Sequence, residues 1–277
     1  MEIKISNITY IISDNKILDN INTTIKEGTI NGIIGPTGSG KTTLFQILNG
    51  IIKPSDGFMN AGDLLIDDDL SESDIDKVHF NIGYVYQFPE EQLFCKTVEK
   101  EISYGLDFFN YKKDNKDKRI KDALKMVGLN ESYLRKDPFK LSSGEMCSVA
   151  LAAVLAINPE IIILDEPTIG LDVKSKKNLI KIIRTIKRRY KKTIIVISQD
   201  IEFIYQICDY VYLINKGNII IEGDKYTVFK EQKLLKDNGI LVPKIIEFEN
   251  YVLDNKKIKI GYRDDINDLI KDILRNK

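Results

Sequence analysis

Gly35-Pro36-Thr37-Gly38-Ser39-Gly40-Lys41-Thr42 follows the apolar run Thr29 to Ile34 and runs into a helical pattern that Gly50 stops. The stretch matches GxxxxGK[ST] in the strand–turn–helix setting which that pattern requires. Glycines let successive backbone N–H groups turn inward around phosphate oxygens, and the helix behind adds the positive end of its dipole. Lys41 is expected to reach the β- and γ-phosphates of a nucleotide, and the Thr42 hydroxyl to ligate Mg²⁺. At average residue frequencies such a match arises by chance in about 1% of chains this long, before the flanks are demanded. An incidental glycine turn with a stray lysine is the poorer explanation.

Working outward, Ile161-Ile162-Ile163-Leu164-Asp165-Glu166 is a buried-strand pattern that ends in two carboxylates. Asp165 can enter the Mg²⁺ shell, and Glu166 can face the attacking water as general base or positioning residue. Upstream, Lys4 to Ile12 and Ile17 to Ile25 alternate as strands, and Ile82 to Gln87 is a further strand candidate. Thr97 to about Asn130 reads as helical and charged, with Tyr111 to Lys118 as an exposed loop. Ser142 and Glu145 have capping-box spacing and open another helix. Beyond Glu166, helices at Ser175 to Tyr190 and Asp200 to Ile207 alternate with strands at Thr193 to Ser198 and Tyr210 to Ile214. That alternation predicts βαβ units and a parallel sheet. After Gly223 the pattern changes, and residues 224–277 read as a small α/β appendage with apolar positions Ile245, Phe248, Val252, Ile266, Leu269 and Ile273.

The chain has 277 residues, 43% of them hydrophobic and 30% charged, as in an ordinary globular protein. Lys and Arg total 41, and so do Asp and Glu. Nucleic-acid and lipid-surface binders usually carry a basic excess, so no nucleic-acid partner is expected, and membrane association should run through a protein. No apolar run reaches the roughly 18 residues needed to cross a bilayer, and Met1 to Ser13 lacks a signal-peptide layout. Cys95, Cys147 and Cys208 lie far apart without metal spacing, which fits reduced, buried thiols in a cytosolic protein.

Between the two halves lies Leu141-Ser142-Ser143-Gly144-Glu145; after Glu166 comes Pro167-Thr168-Ile169-Gly170-Leu171-Asp172; Gln87 follows its strand. In this order the motifs resemble the ATPase subunits of ABC transporters over residues 1 to about 222. The resemblance implies a P-loop (RecA-like) α/β core in residues 1–223. An N-terminal antiparallel β subdomain, a helical subdomain at about 88–157 and a C-terminal extension at 224–277 complete it. ATP and Mg²⁺ are then the cofactors. Gly35 to Thr42 with Thr43 cradle the phosphates, Thr42, Asp165 and Gln87 attend the metal, and Ser142, Ser143, Gly144 and Glu145 form the signature. The implied assembly is a head-to-tail dimer in which one subunit's signature helix points at the γ-phosphate held by its partner, an anion site at a helix start. More locally, Tyr86-Gln-Phe-Pro-Glu-Glu-Gln-Leu-Phe94 and Asp137-Pro-Phe-Lys-Leu141 are similar to the energy-coupling factor (CbiO-like) ATPases of vitamin and metal importers. That implies a second ATPase subunit, a transmembrane coupling subunit docking near Gln87 to Phe94, and a substrate-binding membrane component. The chain would lie peripherally on the cytoplasmic face of the membrane.

The sequence also departs from that family. A histidine is expected after the strand following Glu166, but the segment reads Val196-Ile-Ser-Gln199-Asp200, and the one histidine, His79, reads as an incidental surface residue. Gln199 donates a hydrogen bond but carries no charge; losing one transition-state donor costs roughly 10²–10³ in rate. Glu145 stands for the signature glutamine, Ser143 for a glycine, and Met146-Cys-Ser-Val149 replaces the usual arginines. The family's adenine-stacking aromatic aligns with Ile12, which leaves Tyr10 as candidate platform, with a core or edge tyrosine as the alternative. Two other functions compete. A soluble ABC ATPase of translation or DNA repair would bring a second cassette or coiled coils, which are missing. A small-molecule kinase leaves Leu141 to Glu145 unexplained.

Overall fold

The computed structural model describes residues 1–256 and 266–275. Strands β1 (Ile3–Ile12) and β2 (Asn15–Ile25) form a hairpin, followed by β3 (Ile30–Ile34) and helix α1 (Lys41–Leu48). A second hairpin, β4 (Asp56–Ala61) and β5 (Leu64–Ile66), leads to α2 (Glu72–Asn81) and β6 (Ile82–Val85). Four helices come next: α3 (Pro89–Gln92), α4 (Val98–Phe108), α5 (Lys113–Met126) and α6 (Ser143–Ile157). The chain then alternates through β7 (Ile161–Asp165), α7 (Val173–Tyr190), β8 (Thr193–Ile197), α8 (Ile201–Ile207), β9 (Tyr210–Asn215) and β10 (Asn218–Asp224). It continues as α9 (Lys225–Lys230), α10 (Gln232–Asp237), α11 (Lys244–Lys256) and α12 (Ile266–Arg275).

Two sheets organise the molecule. One is antiparallel in the order β2-β1-β4-β5; the other runs β10-β9-β3-β8-β7-β6 and is parallel apart from the β9–β10 pair. Strands β3, β7 and β8 are buried along their whole length, which is why β7 and β8 read as near-continuous Ile/Val/Leu runs and not as alternation. Their side chains still part by period two. Ile161, Ile163, Ile195 and Ile197 join α1 and the antiparallel sheet in one core cluster. Ile162, Leu164, Ile194 and Val196 face the helices in the other. Each such side chain contributes about 1.5–3 kcal/mol by burial. Strand β3 lies between β8 and β9, so the loop after it opens at the carboxyl ends of the central strands, the usual ligand position of open α/β sheets.

The α/β architecture expected from the sequence holds, with local corrections. Lys113 to Lys118, expected in an exposed loop, form the first turns of α5. Opposite charges four apart (Lys113/Asp117, Asp114/Lys118) favour helix there, Lys116 pairs with Asp107, and Ile120, Ala123 and Leu124 anchor the following turns in the core. Residues 224–277 are helical beyond β10 among the described residues, not mixed α/β. Val228, Phe229, Leu235, Ile240 and Ile246 pack into the same cluster as the sheet. Of the apolar positions named there, Val252 and Leu269 are buried, Phe248 is 41% exposed, and the side chain of Ile266 lies outside the described residues. His79 is not an incidental surface residue: it is half-buried, and its Nε2 lies 3.0 Å from the Asn49 carbonyl at the end of α1.

Candidate functional site

The loop between β3 and α1 is built for an anion. Gly40, at φ 98°, caps α1 without any side-chain hydrogen bond, so the N–H groups of the helix's first turn keep no side-chain cap. The positive φ favours glycine at position 40, and a Cβ there would also crowd Leu18 Cδ2 at 2.7 Å and the Ile17 carbonyl at 3.0 Å. Lys41 is buried, its Nζ donating to the carbonyls of Gly35 (2.9 Å) and Pro36 (2.8 Å) and reaching Ser39 Oγ at 3.4 Å. Burial lowers its pKa from the ordinary lysine value, against the pull of Glu166 and Asp165. A phosphate would relieve that desolvation by offering the ammonium an anionic partner.

Asp165 ends β7 beside this loop. Its Oδ2 accepts from the Tyr84 hydroxyl at 2.7 Å, and the Thr42 hydroxyl lies 3.5 Å from its Oδ1. Burial raises its pKa. A buried carboxylate facing a threonine hydroxyl is a hard-oxygen pair of the kind Mg²⁺ takes together with phosphate oxygens, so the residues present fit that ion. Glu166, 7% exposed, sits at φ 44°, a left-handed conformation uncommon for a residue with a side chain. Its N–H donates to Ile197 O at 2.8 Å, which extends the β7–β8 pairing and turns the carboxylate toward β8's end. There it accepts from Ser198 Oγ (3.1 Å) and from the Gln199 N–H (3.0 and 3.2 Å). Burial raises the Glu166 pKa, the direction that suits a proton acceptor working near neutrality. Gln199 Nε2 donates to Thr37 Oγ1 at 3.2 Å, so one residue bridges the carboxylate and the phosphate loop.

Other expected site residues lie elsewhere. Tyr10 is half-buried against the core cluster under the antiparallel sheet; nearer the hairpin tip Ile11 and Ile12 are exposed, at 45% and 50%. Tyr10 pairs with Leu18, whose side chain approaches Gly40, so the hairpin borders the loop. Gln87 lines a cleft with Ser143, Pro167, Ile169 and Leu171. The loop after it is held by Gln92 Oε1, which accepts from Tyr86 N at 3.1 Å, and by the buried Glu101 carboxylate, which accepts from Phe94 and Cys95. Ser142 caps α6 in a complete capping box with Glu145. Ser142, Gly144 and Glu145 line a groove of about 750 Å³ with Leu171 to Ser175, and no residue of 35–42 belongs to its lining. Tyr84, Ser198 and the Glu145 partner Tyr133 were missed by sequence reasoning. No motif marks them, and only strand pairing or a distant turn brings them to the site.

The ABC transporter family model matches residues 18–169. The chain is 37% identical over 251 residues to the energy-coupling factor transporter ATP-binding protein EcfA2 of Lactococcus lactis, covering 89% of this chain and 87% of that protein. EcfA2 of Clostridium perfringens is 40% identical over 252 residues, covering 88% and 87%. Among solved structures, cbiO1 of Clostridium perfringens, part of the ABC transporter complex cbiONQ, superposes with a TM-score of 0.77 at 34% identity, covering 90% of this chain and 98% of that one. The dimeric bacterial ABC transporter cassette MJ0796 gives 0.72 at 29% identity, covering 80% and 98%.

Proposed function

This chain belongs to the energy-coupling factor ATP-binding proteins of the ABC transporter family, and on that premise we propose that it binds and hydrolyses ATP to drive uptake of a vitamin or metal ion through membrane partners. The single observation that carries this reading is the corner where Lys41, Thr42, Asp165, Glu166 and Gln199 converge. In it, Gly35 to Thr43 and Lys41 hold the phosphates, and Thr42 and Asp165 take Mg²⁺, with Gln87 joining from its cleft. Mg²⁺, when bound, neutralises phosphate charge. Glu166 orients water and accepts its proton. Ser142 to Glu145 serve a partner's nucleotide in a head-to-tail dimer; the groove lined by Ser142, Gly144 and Glu145 takes no residue from this chain's own phosphate loop, which supports that arrangement.

Residues 1–223 act as the ATPase and 224–277 as an extension of it. The second ATPase subunit, the transmembrane coupling subunit and the substrate-binding component complete the assembly. No described helix is long and apolar enough to cross a membrane, so attachment at the cytoplasmic face runs through those partners. The segment Gln87 to Phe94 is the docking loop: Tyr86, Phe88, Phe94 and Tyr104 stand 39–59% exposed around it, and exposed aromatics of this kind mark protein interfaces. Affinity purification from membranes in mild detergent should bring a polytopic membrane protein and a second ATP-binding subunit. Recovery of neither would contradict the transport reading.

Gln199 makes this chain's site slow. It keeps a hydrogen bond to Thr37 yet offers no cationic donor to the transition state. In single-turnover hydrolysis at this site, Gln199→His should accelerate phosphate release by about 10²-fold or more. An unchanged rate removes Gln199 as the cause.

A further inference from the structure

We infer that Glu145, pinned by Tyr133, occupies the phosphate-facing start of α6 and weakens the composite ATP site this chain forms with a partner's phosphate loop. The inference rests on the head-to-tail dimer of the proposed function.

An anion at a helix start is held by free backbone N–H groups and by the capping hydroxyl. Here two of those donors already have an internal acceptor. Ser142 N–H and Ser142 Oγ both donate to Glu145 Oε2, at 2.9 and 2.7 Å. The second oxygen, Oε1, accepts from the Tyr133 hydroxyl at 2.6 Å. Tyr133 belongs to no motif; it closes the turn Glu131–Tyr133, and the Lys136 ammonium sits 3.5 Å over its ring. The Tyr133 hydrogen bond, followed by those from Ser142, holds the Glu145 carboxyl down at about 2, so it is a fixed negative charge at neutral pH. A γ-phosphate arriving there meets an anion and two engaged donors. Glutamine at 145 would keep an acceptor for the Ser142 N–H while removing the charge.

The test uses this chain assembled with its partner ATPase and membrane subunits, reading ATP-driven closure by energy transfer between labels on the two ATPases. Glu145→Gln should lower the ATP concentration for half-maximal closure about tenfold, the scale of one charged hydrogen bond. Tyr133→Phe should lower it by a smaller factor, since it releases the carboxylate without neutralising it. General damage to α6 would raise the ATP requirement, so the direction separates the two causes. A wild-type complex that closes, with both variants closing at the same or higher ATP, overturns this inference alone. A wild-type complex that never closes with ATP overturns the dimer reading and this inference with it.

Discussion

Tyr84 places its hydroxyl on Oδ2 of Asp165 and leaves Oδ1 to Thr42. Partners that orient a metal-ligating carboxylate typically govern affinity by about 10–100-fold when removed. Tyr84→Phe keeps the ring in its buried slot and deletes only the donor. We expect Mn²⁺, bound with a non-hydrolysable ATP analogue and followed by electron paramagnetic resonance, to bind at least about tenfold more weakly to the variant. Equal Mn²⁺ affinity in both proteins would leave Tyr84 a core tyrosine. Sequence reading stops short at this residue for a definite reason. Asp165 and Glu166 were legible because an apolar strand ending in paired carboxylates is chemically conspicuous. Tyr84 sits in a strand of ordinary composition, and its role depends on β6 pairing beside β7, with Tyr84 opposite Ile163. Ser198 reaches Glu166 in the same way, across β8.

At the scale of elements, the start of α6 rests on one cap. The capping box was legible from Ser142 and Glu145 alone; the Tyr133 hydroxyl that completes it was not. Glu145 is held below its ordinary 4.5, at about 2. The folded state therefore binds that proton more weakly than the unfolded chain, and its contribution to stability is complete above about pH 4.5 and lost as pH falls toward 2. Comparing acid unfolding of the wild type and Glu145→Gln, the stability gap should shrink across that window; a gap independent of pH would contradict the assignment. Elements were harder to read where pairing or charge replaced apolar periodicity. Helix α5 begins among Lys and Asp residues that pattern alone assigns to a loop. The helices after β10 carry scattered apolar positions whose partners, such as Phe203 and Tyr205 of α8, lie in the same distant core cluster.

Across the whole molecule, the central strands deliver every part of the nucleotide corner from one edge of one sheet: the loop after β3, the carboxylates at the end of β7, and Ser198 and Gln199 after β8. The parallel order was legible as strand–helix alternation, while the antiparallel sheet's second hairpin, β4 and β5, left no clear pattern in the sequence. Beside them lies Lys41, whose buried ammonium is held, among the described residues, by the loop oxygens of Gly35, Pro36 and Ser39. Its exchange of those partners for phosphate is what the account depends on. The direct measurement is equilibrium retention of Mg-ATP by the assembled complex, wild type against Lys41→Ala. Loss of a charge-assisted contact predicts affinity lower by about 10–100-fold in the variant. Retention of Mg-ATP by the variant as tight as by the wild type would contradict the account.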